Sequence, residues 1–242
     1  MAKKQAKTSH KNGAEAISGA MLLSHQLMST LTAMKWSLKM LTQGDFGAMT
    51  KEQQDIVGKI DQRNDLLISL ANRVLHTSKL EDEKYCCNLA SVNIETIISS
   101  TMGYSKESAT KKGVNLEFKR LTEKIPALRA DEEMLKIAVQ NLFDNAIKYT
   151  TAGGKVTVFL DSDGKNVEFK IQDSGIGVPE KQKGRLFHKF FRADNAIKLN
   201  PVGSGLGLFI SKNIIGAHGG KMGFDSKENK GSAFYFSLPV NG

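Results

Sequence analysis

Small and apolar positions recur near the start of the chain at alternating spacings of four and three, at Ala20, Ser24, Leu27, Leu31, Met34, Leu38 and Leu41. That spacing is a heptad seam, and it predicts one long helix beginning near Ala14. Gln43-Gly44-Asp45-Phe46-Gly47 breaks the pattern. Thr50 followed by Gln53 resembles a capping box that opens a second helix. There Ile56, Ile60, Leu67, Ala71 and Val74 repeat the seam, interrupted by Asn64. Two long helices with a short connection predict an antiparallel hairpin. One hairpin cannot cover so much apolar stripe, so a second copy completing a four-helix bundle, and hence a homodimer, is expected.

After Glu81-Asp82-Glu83-Lys84 the periodicity changes. Helices are expected over Ile94–Ala109, Glu132–Tyr149 and Gly205–Ala217, and strands over Val114–Phe118, Lys155–Leu160, Val167–Gln172 and Ala233–Pro239. Asp163-Gly164 marks a hairpin turn. The expected fold class is α+β: the helical hairpin of a dimeric bundle, then an α/β sandwich with helices on one face of the sheet. The domains are placed at 1–13 (a disordered basic tail), 14–85 (the hairpin) and 86–242 (the sandwich).

Composition narrows the functional classes. The net charge of +9 invites a nucleic-acid partner. However, Lys3, Lys4, Lys7 and Lys11 fall in the tail, and Lys181, Lys183, Arg185, Lys189 and Arg192 cluster in one loop. Basic residues are not interleaved with aromatics as stacking platforms require, so no nucleic acid is expected. No apolar run approaches the ~18 residues of a membrane span, and no secretory signal opens the chain. Cys86 and Cys87 are adjacent and suit a reduced protein. The expected location is the cytoplasm, with the chain either free or the cytoplasmic portion of a membrane-anchored parent.

Four blocks carry the candidate chemistry. The first, Asn141 to Tyr149, puts Asn141 and Asn145 on one helix face. An amide oxygen is a hard, neutral ligand suited to Mg²⁺, and Lys148, one turn on, can reach the same phosphates. In the second, Asp173-Ser174-Gly175-Ile176-Gly177, a carboxylate that can accept from an exocyclic amine precedes two glycines. The third is Leu186-Phe187-His188-Lys189-Phe190-Phe191-Arg192. The fourth, Gly203-Ser204-Gly205-Leu206-Gly207, opens a helix whose first amides suit a phosphate. No strand precedes it as a dinucleotide fold requires, and no P-loop or protein-kinase set occurs. The basic stretch from Val178 to Val202, poor in regular pattern, reads as a lid. His76, His188 and His218 read as packing or polar fillers.

In this order the blocks resemble the N, G1, F and G2 boxes of bacterial sensor histidine kinases, within the superfamily that includes gyrase-type ATPases. The first half resembles that family's dimerisation and phosphotransfer domain. The resemblance implies ATP with Mg²⁺, a phosphohistidine intermediate, and an aspartate on a response regulator as final acceptor. It assigns the metal to Asn145, with Asn141 in support, and adenine to Asp173. Lys148 and Arg192 approach the phosphates, Tyr149 lines the base, Gly175 and Gly177 admit the nucleotide, and Gly203 to Gly207 (with Ser204 and Leu206) form the far hinge of the lid.

The resemblance makes His25 the phosphoacceptor, with Gln26 and Ser29 in the reaction centre. His25 follows seam position Ser24, so its imidazole points away from the bundle, and a neutral imidazole nitrogen is a competent nucleophile. Gln26 stands where the family has an acid, and Thr30 where it has a proline. Gln26 can accept a hydrogen bond but cannot take up a proton, and losing such help costs on the order of 10²–10⁴ in rate. The alternative to an autokinase core is therefore an ATP-binding, kinase-deficient dimeric module. A gyrase-like ATPase would place Glu at position 141.

Overall fold

The structure is a computed structural model and describes residues 26–81, 88–201 and 203–240. It divides into two compact units at residues 85 and 86. The basic tail, Ala20, Ser24, His25, Cys86, Cys87 and Val202 lie outside the described residues, as do the side chains of Val74 and His76.

In the first unit residues 26–43 form α1, and α2 spans Lys51–Glu81. Between them Gly44 and Gly47 have φ of 84° and 107°, conformations that glycine adopts without strain. The capping box is reciprocal: Thr50 N donates to Gln53 Oε1 at 2.9 Å, and Gln53 N to Thr50 Oγ1 at 3.3 Å. The helices are tied by Lys35 Nζ, 2.8 Å from the Asp61 carboxylate and 2.9 Å from Asp65. Asn64, which interrupts the seam, is buried and donates to Leu31 O at 2.9 Å. Of the nine described apolar stripe residues, only three are covered within the hairpin. Leu31, Leu38 and Ala71 are buried, whereas Leu27, Met34, Leu41, Ile56, Ile60 and Leu67 are exposed.

The second unit contains β1 (Ala90–Val92), α3 (Ile94–Lys112), β2 (Asn115–Arg120), β3 (Leu128–Ala130), α4 (Glu132–Tyr149), β4 (Lys155–Ser162) and β5 (Asn166–Asp173). A 3₁₀ turn at Glu180–Arg185, α5 (Asp194–Leu199), α6 (Gly207–Ala217), β6 (Lys221–Lys227) and β7 (Gly231–Pro239) follow. Five strands form one sheet in the order β2-β4-β5-β7-β6, antiparallel except for the β2–β4 pair. β1 and β3 pair separately. The inner face of the sheet packs on α3, α4 and α6. Phe143 of α4 lies 6.5 Å from Phe169 of β5, whose ring stacks on Phe236 of β7 at 4.8 Å between centroids.

The structure corrects several expectations. The helix expected from Gly205 starts at Gly207, because Gly205 has φ of +68° and cannot be a helical residue. Strand β6 carries three lysine and serine positions and a glycine, and as an edge strand it lacks the apolar alternation that would announce it. The lid stretch is also more ordered than its pattern suggests, with a 3₁₀ turn and a short helix. Among the described residues no helix is long and apolar enough to cross a membrane.

Candidate functional site

Strand parity decides the place of Asp173. In β5, Val167, Phe169, Ile171 and Asp173 fall on the buried side, and Glu168, Lys170 and Gln172 on the exposed one. A carboxylate is thus carried into the apolar layer between sheet and helices. Two amides partly compensate: Gly175 N donates to Asp173 Oδ1 at 2.8 Å and Ser232 N at 3.2 Å. Desolvation outweighs these bonds and pushes the carboxyl up to about 6. Both bonds fall on Oδ1, so Oδ2 keeps its acceptor capacity for a ligand.

The glycines after Asp173 are required by contact. A Cβ on Gly175 would lie 2.2 Å from Tyr149 O, and one on Gly177 2.1 Å from Lys227 O. Ile176 N donates to Tyr149 O at 3.1 Å, so this loop is seated on the end of α4. That helix presents Asn145 and Tyr149 to a cleft with about 680 Å³ of empty space, part of it open to solvent. Asp173, Gly177, Arg192, Gly205 and Gly207 also line it.

Asn141 occupies a different place. It is buried beneath the start of α6, where a Cβ on Gly207 would lie 3.4 Å from its Oδ1, and it does not line the cleft. Gly175, Lys148, Gly203, Ser204 and Leu206 likewise do not line it. Lys148 and Arg192 nevertheless converge: a Cβ on Gly203 would lie 3.0 Å from Lys148 Nζ and 3.2 Å from Arg192 Cζ. Two cations held around one glycine favour an anion there.

Arg192 also organises the lid. Its guanidinium donates to Pro201 O at 2.9 Å, to Ala196 O at 3.2 Å and to Asn200 O. Gln182 and Asp194 bond reciprocally at 2.6 and 3.0 Å, and Asn195 donates to Gly177 O at 3.0 Å. Gly205 packs on the preceding block, where a Cβ would lie 2.6 Å from Phe190 C. Of the five loop cations, only Arg192 lines the cleft. Lys183 pairs with Glu180 at 2.6 Å, Arg185 lies over Phe191, and Lys189 over Phe209. His188 is exposed. His218 is a buried polar filler as expected: its Nε2 accepts from Asp131 N at 2.9 Å, which puts its proton on Nδ1, facing Ile214 O.

Sequence reasoning missed Ser232 and Gly231. Gly231 has φ of +92°, and a Cβ there would lie 1.9 Å from Asp173 O. No motif marks either residue, because their role arises from register, Asp173 pairing with Ser232. Among the described residues no group of three or more His, Cys, Asp or Glu could hold a metal. A metal here would rest on the Asn145 amide oxygen and on ligand phosphates, which fits Mg²⁺, an ion that keeps several waters.

Residues 130–242 match the family of histidine kinase-, DNA gyrase B-, and HSP90-like ATPases. This segment belongs to that family. Over 90% of its length the chain is similar to two curated sensor kinases, at 29% identity to the circadian input-output histidine kinase CikA of Synechococcus elongatus and at 31% to the sensor histidine kinase WalK of Bacillus subtilis. It spans 29% and 35% of those proteins, respectively. Among solved structures, full-length ShkA in complex with AMPPNP superposes with a TM-score of 0.74 at 29% identity, covering 92% of this chain and 45% of that one. The matched segment thus includes α4, the lid and α6, and the likeness to the kinases extends over the helical hairpin as well.

Proposed function

We propose that this chain is the phosphotransfer and ATP-binding portion of a cytoplasmic sensor histidine kinase. The observation that carries the reading is a desolvated acceptor at Asp173 in the same cleft as Arg192, a cation that converges with Lys148 at Gly203. An adenine amine suits the first and a phosphate chain the second.

ATP supplies the transferable γ-phosphoryl group, and Mg²⁺ neutralises charge on its oxygens. Asp173 Oδ2 accepts from the adenine amine, and Tyr149 flanks the base. Asn145 gives its amide oxygen to the metal, while Asn141 steadies the start of α6. Lys148 and Arg192 attract the phosphates, and the lid excludes water. The His25 imidazole attacks the γ-phosphorus, forming an N–P bond as the bond to the leaving ADP oxygen breaks. Gln26 and Ser29, both exposed on α1, flank that reaction. Gln26 provides no base, so the imidazole proton passes to water. A response-regulator aspartate then takes the phosphoryl group. The exposed Leu27, Met34, Ile56, Ile60 and Leu67 support a homodimer, in which a second hairpin covers this stripe.

Incubation with γ-phosphate-labelled ATP and Mg²⁺ tests the reading. Acid-labile label on the chain, absent in His25→Gln, is expected. Tight nucleotide binding without label would reduce the protein to a binding module, and no binding at all would remove the assignment.

A further inference from the structure

The last turn of α4 carries Asn145, Lys148 and Tyr149, three of the residues given roles in the cleft. Helix ends leave carbonyls that the helix's own amides cannot reach. In this turn every carbonyl from Ala146 to Tyr149 is nevertheless bound. Ala146 O accepts from Thr150 N at 3.2 Å and from Thr150 Oγ1 at 2.7 Å. Tyr149 O accepts from Ile176 N of the loop after Asp173. The two between them, Ile147 O and Lys148 O, both accept from one ammonium, Lys112 Nζ, the first at 2.9 Å.

Lys112 is the last residue of α3, so the donor comes from a different helix. It is half-buried, and desolvation lowers its pKa. An ammonium has three donors, and here its charge lies at the negative end of the α4 dipole. Loss of Lys112 would free two adjacent carbonyls in the turn that aims Asn145 into the cleft and seats the Asp173 loop. Both sides of the nucleotide site depend on that turn.

We infer that Lys112 is a positioning residue for nucleotide binding, holding the Asn145–Tyr149 turn in its binding geometry without touching the ligand. The inference rests on the reading of the cleft as an ATP site. Calorimetric titration of the full chain with ADP and Mg²⁺ tests it, using wild type, Lys112→Met, Lys112→Arg and, as a core variant remote from the cleft, Leu128→Ala. Charge-assisted bonds of this kind predict an affinity loss of about tenfold or more in Lys112→Met, with most of it recovered in Lys112→Arg. Amide hydrogen exchange should quicken at residues 147–150 and 175–176 and stay unchanged in β7. Should Lys112→Met fail to fold, Lys112→Gln, which keeps a donor without charge, is measured in its place with the same expectation of weakened binding. Wild-type affinity in the uncharged variant overturns the inference, as does an equal loss in Leu128→Ala. Absence of binding by the wild type is a separate outcome that overturns the nucleotide reading and the inference with it.

Discussion

The Ser232 amide donates to Asp173 Oδ1 at 3.2 Å, so a backbone group on β7 binds the side chain of its register partner on β5. Gly175 N holds the same oxygen from the other side. The carboxylate is therefore fixed by two donors that both require an oxygen. In Asp173→Asn the amide oxygen must serve those donors, which turns the NH₂ toward the ligand amine. Donor then faces donor, and adenine-nucleotide affinity should fall about tenfold or more by calorimetry, with the fold retained.

Burial raises the Asp173 carboxyl to about 6, above an unfolded value of about 3.9. Its folded-state proton affinity thus contributes stability that is fully present below about pH 3.9 and is lost as pH rises through about 6. At pH 7.5 without ligand, Asp173→Asn should be more stable than wild type, by up to about 3 kcal/mol in urea unfolding. That advantage should shrink toward pH 4. Nucleotide binding has the opposite slope: the wild-type advantage in affinity over Asp173→Asn should decline between pH 7.5 and 5 as the acceptor is protonated.

Gly205 combines a φ of +68° with contact against the backbone of Phe190 and Phe191. Alanine adds strain of about 1–2 kcal/mol and a Cβ that the Phe190 carbonyl group cannot avoid. Gly205→Ala should lower both the thermal midpoint and nucleotide affinity, whereas Gly184→Ala, with open space around it, should change neither.

Arg192 binds three carbonyls between Ala196 and Pro201. Lysine cannot reproduce a planar fork with several fixed donors. Arg192→Lys should leave the sheet and α4 intact yet speed proteolytic nicking within residues 193–203 by about tenfold, since local opening there becomes easier.

Ile60 is 44% exposed on the uncovered stripe of the hairpin. A charge placed there would be buried unpaired in a two-hairpin bundle. Ile60→Glu should sediment as a monomer under conditions in which the wild type is a dimer, with ADP binding preserved.

The elements most legible in the sequence were those in which one residue period persisted. α4 spans Glu132–Tyr149, the bounds its pattern predicts, and in the structure Asp131 caps it through Met134 N while the apolar stripe runs its full length. The capping box at Thr50 is local chemistry and survives in the fold unchanged. β6 escaped notice because an edge strand needs no alternating apolar face, and β1 and β3 because three residues hold no period. The lid's order was hidden for another reason: it comes from side chains clasping distant backbone, Arg192 and Asn195 above all.

By itself the sequence determined the four blocks, their order, and the residue types able to meet adenine, metal and phosphate, because each depends on neighbours a few positions apart. Only the tertiary structure decided which of them share a surface. It set Asn145 in the cleft and Asn141 beneath α6, and it gave Asp173 a partner 59 residues away. It also brought Lys112 to the end of a helix it does not belong to. Burial, register and the sharing of carbonyls are properties of packed elements, and no local pattern encodes them.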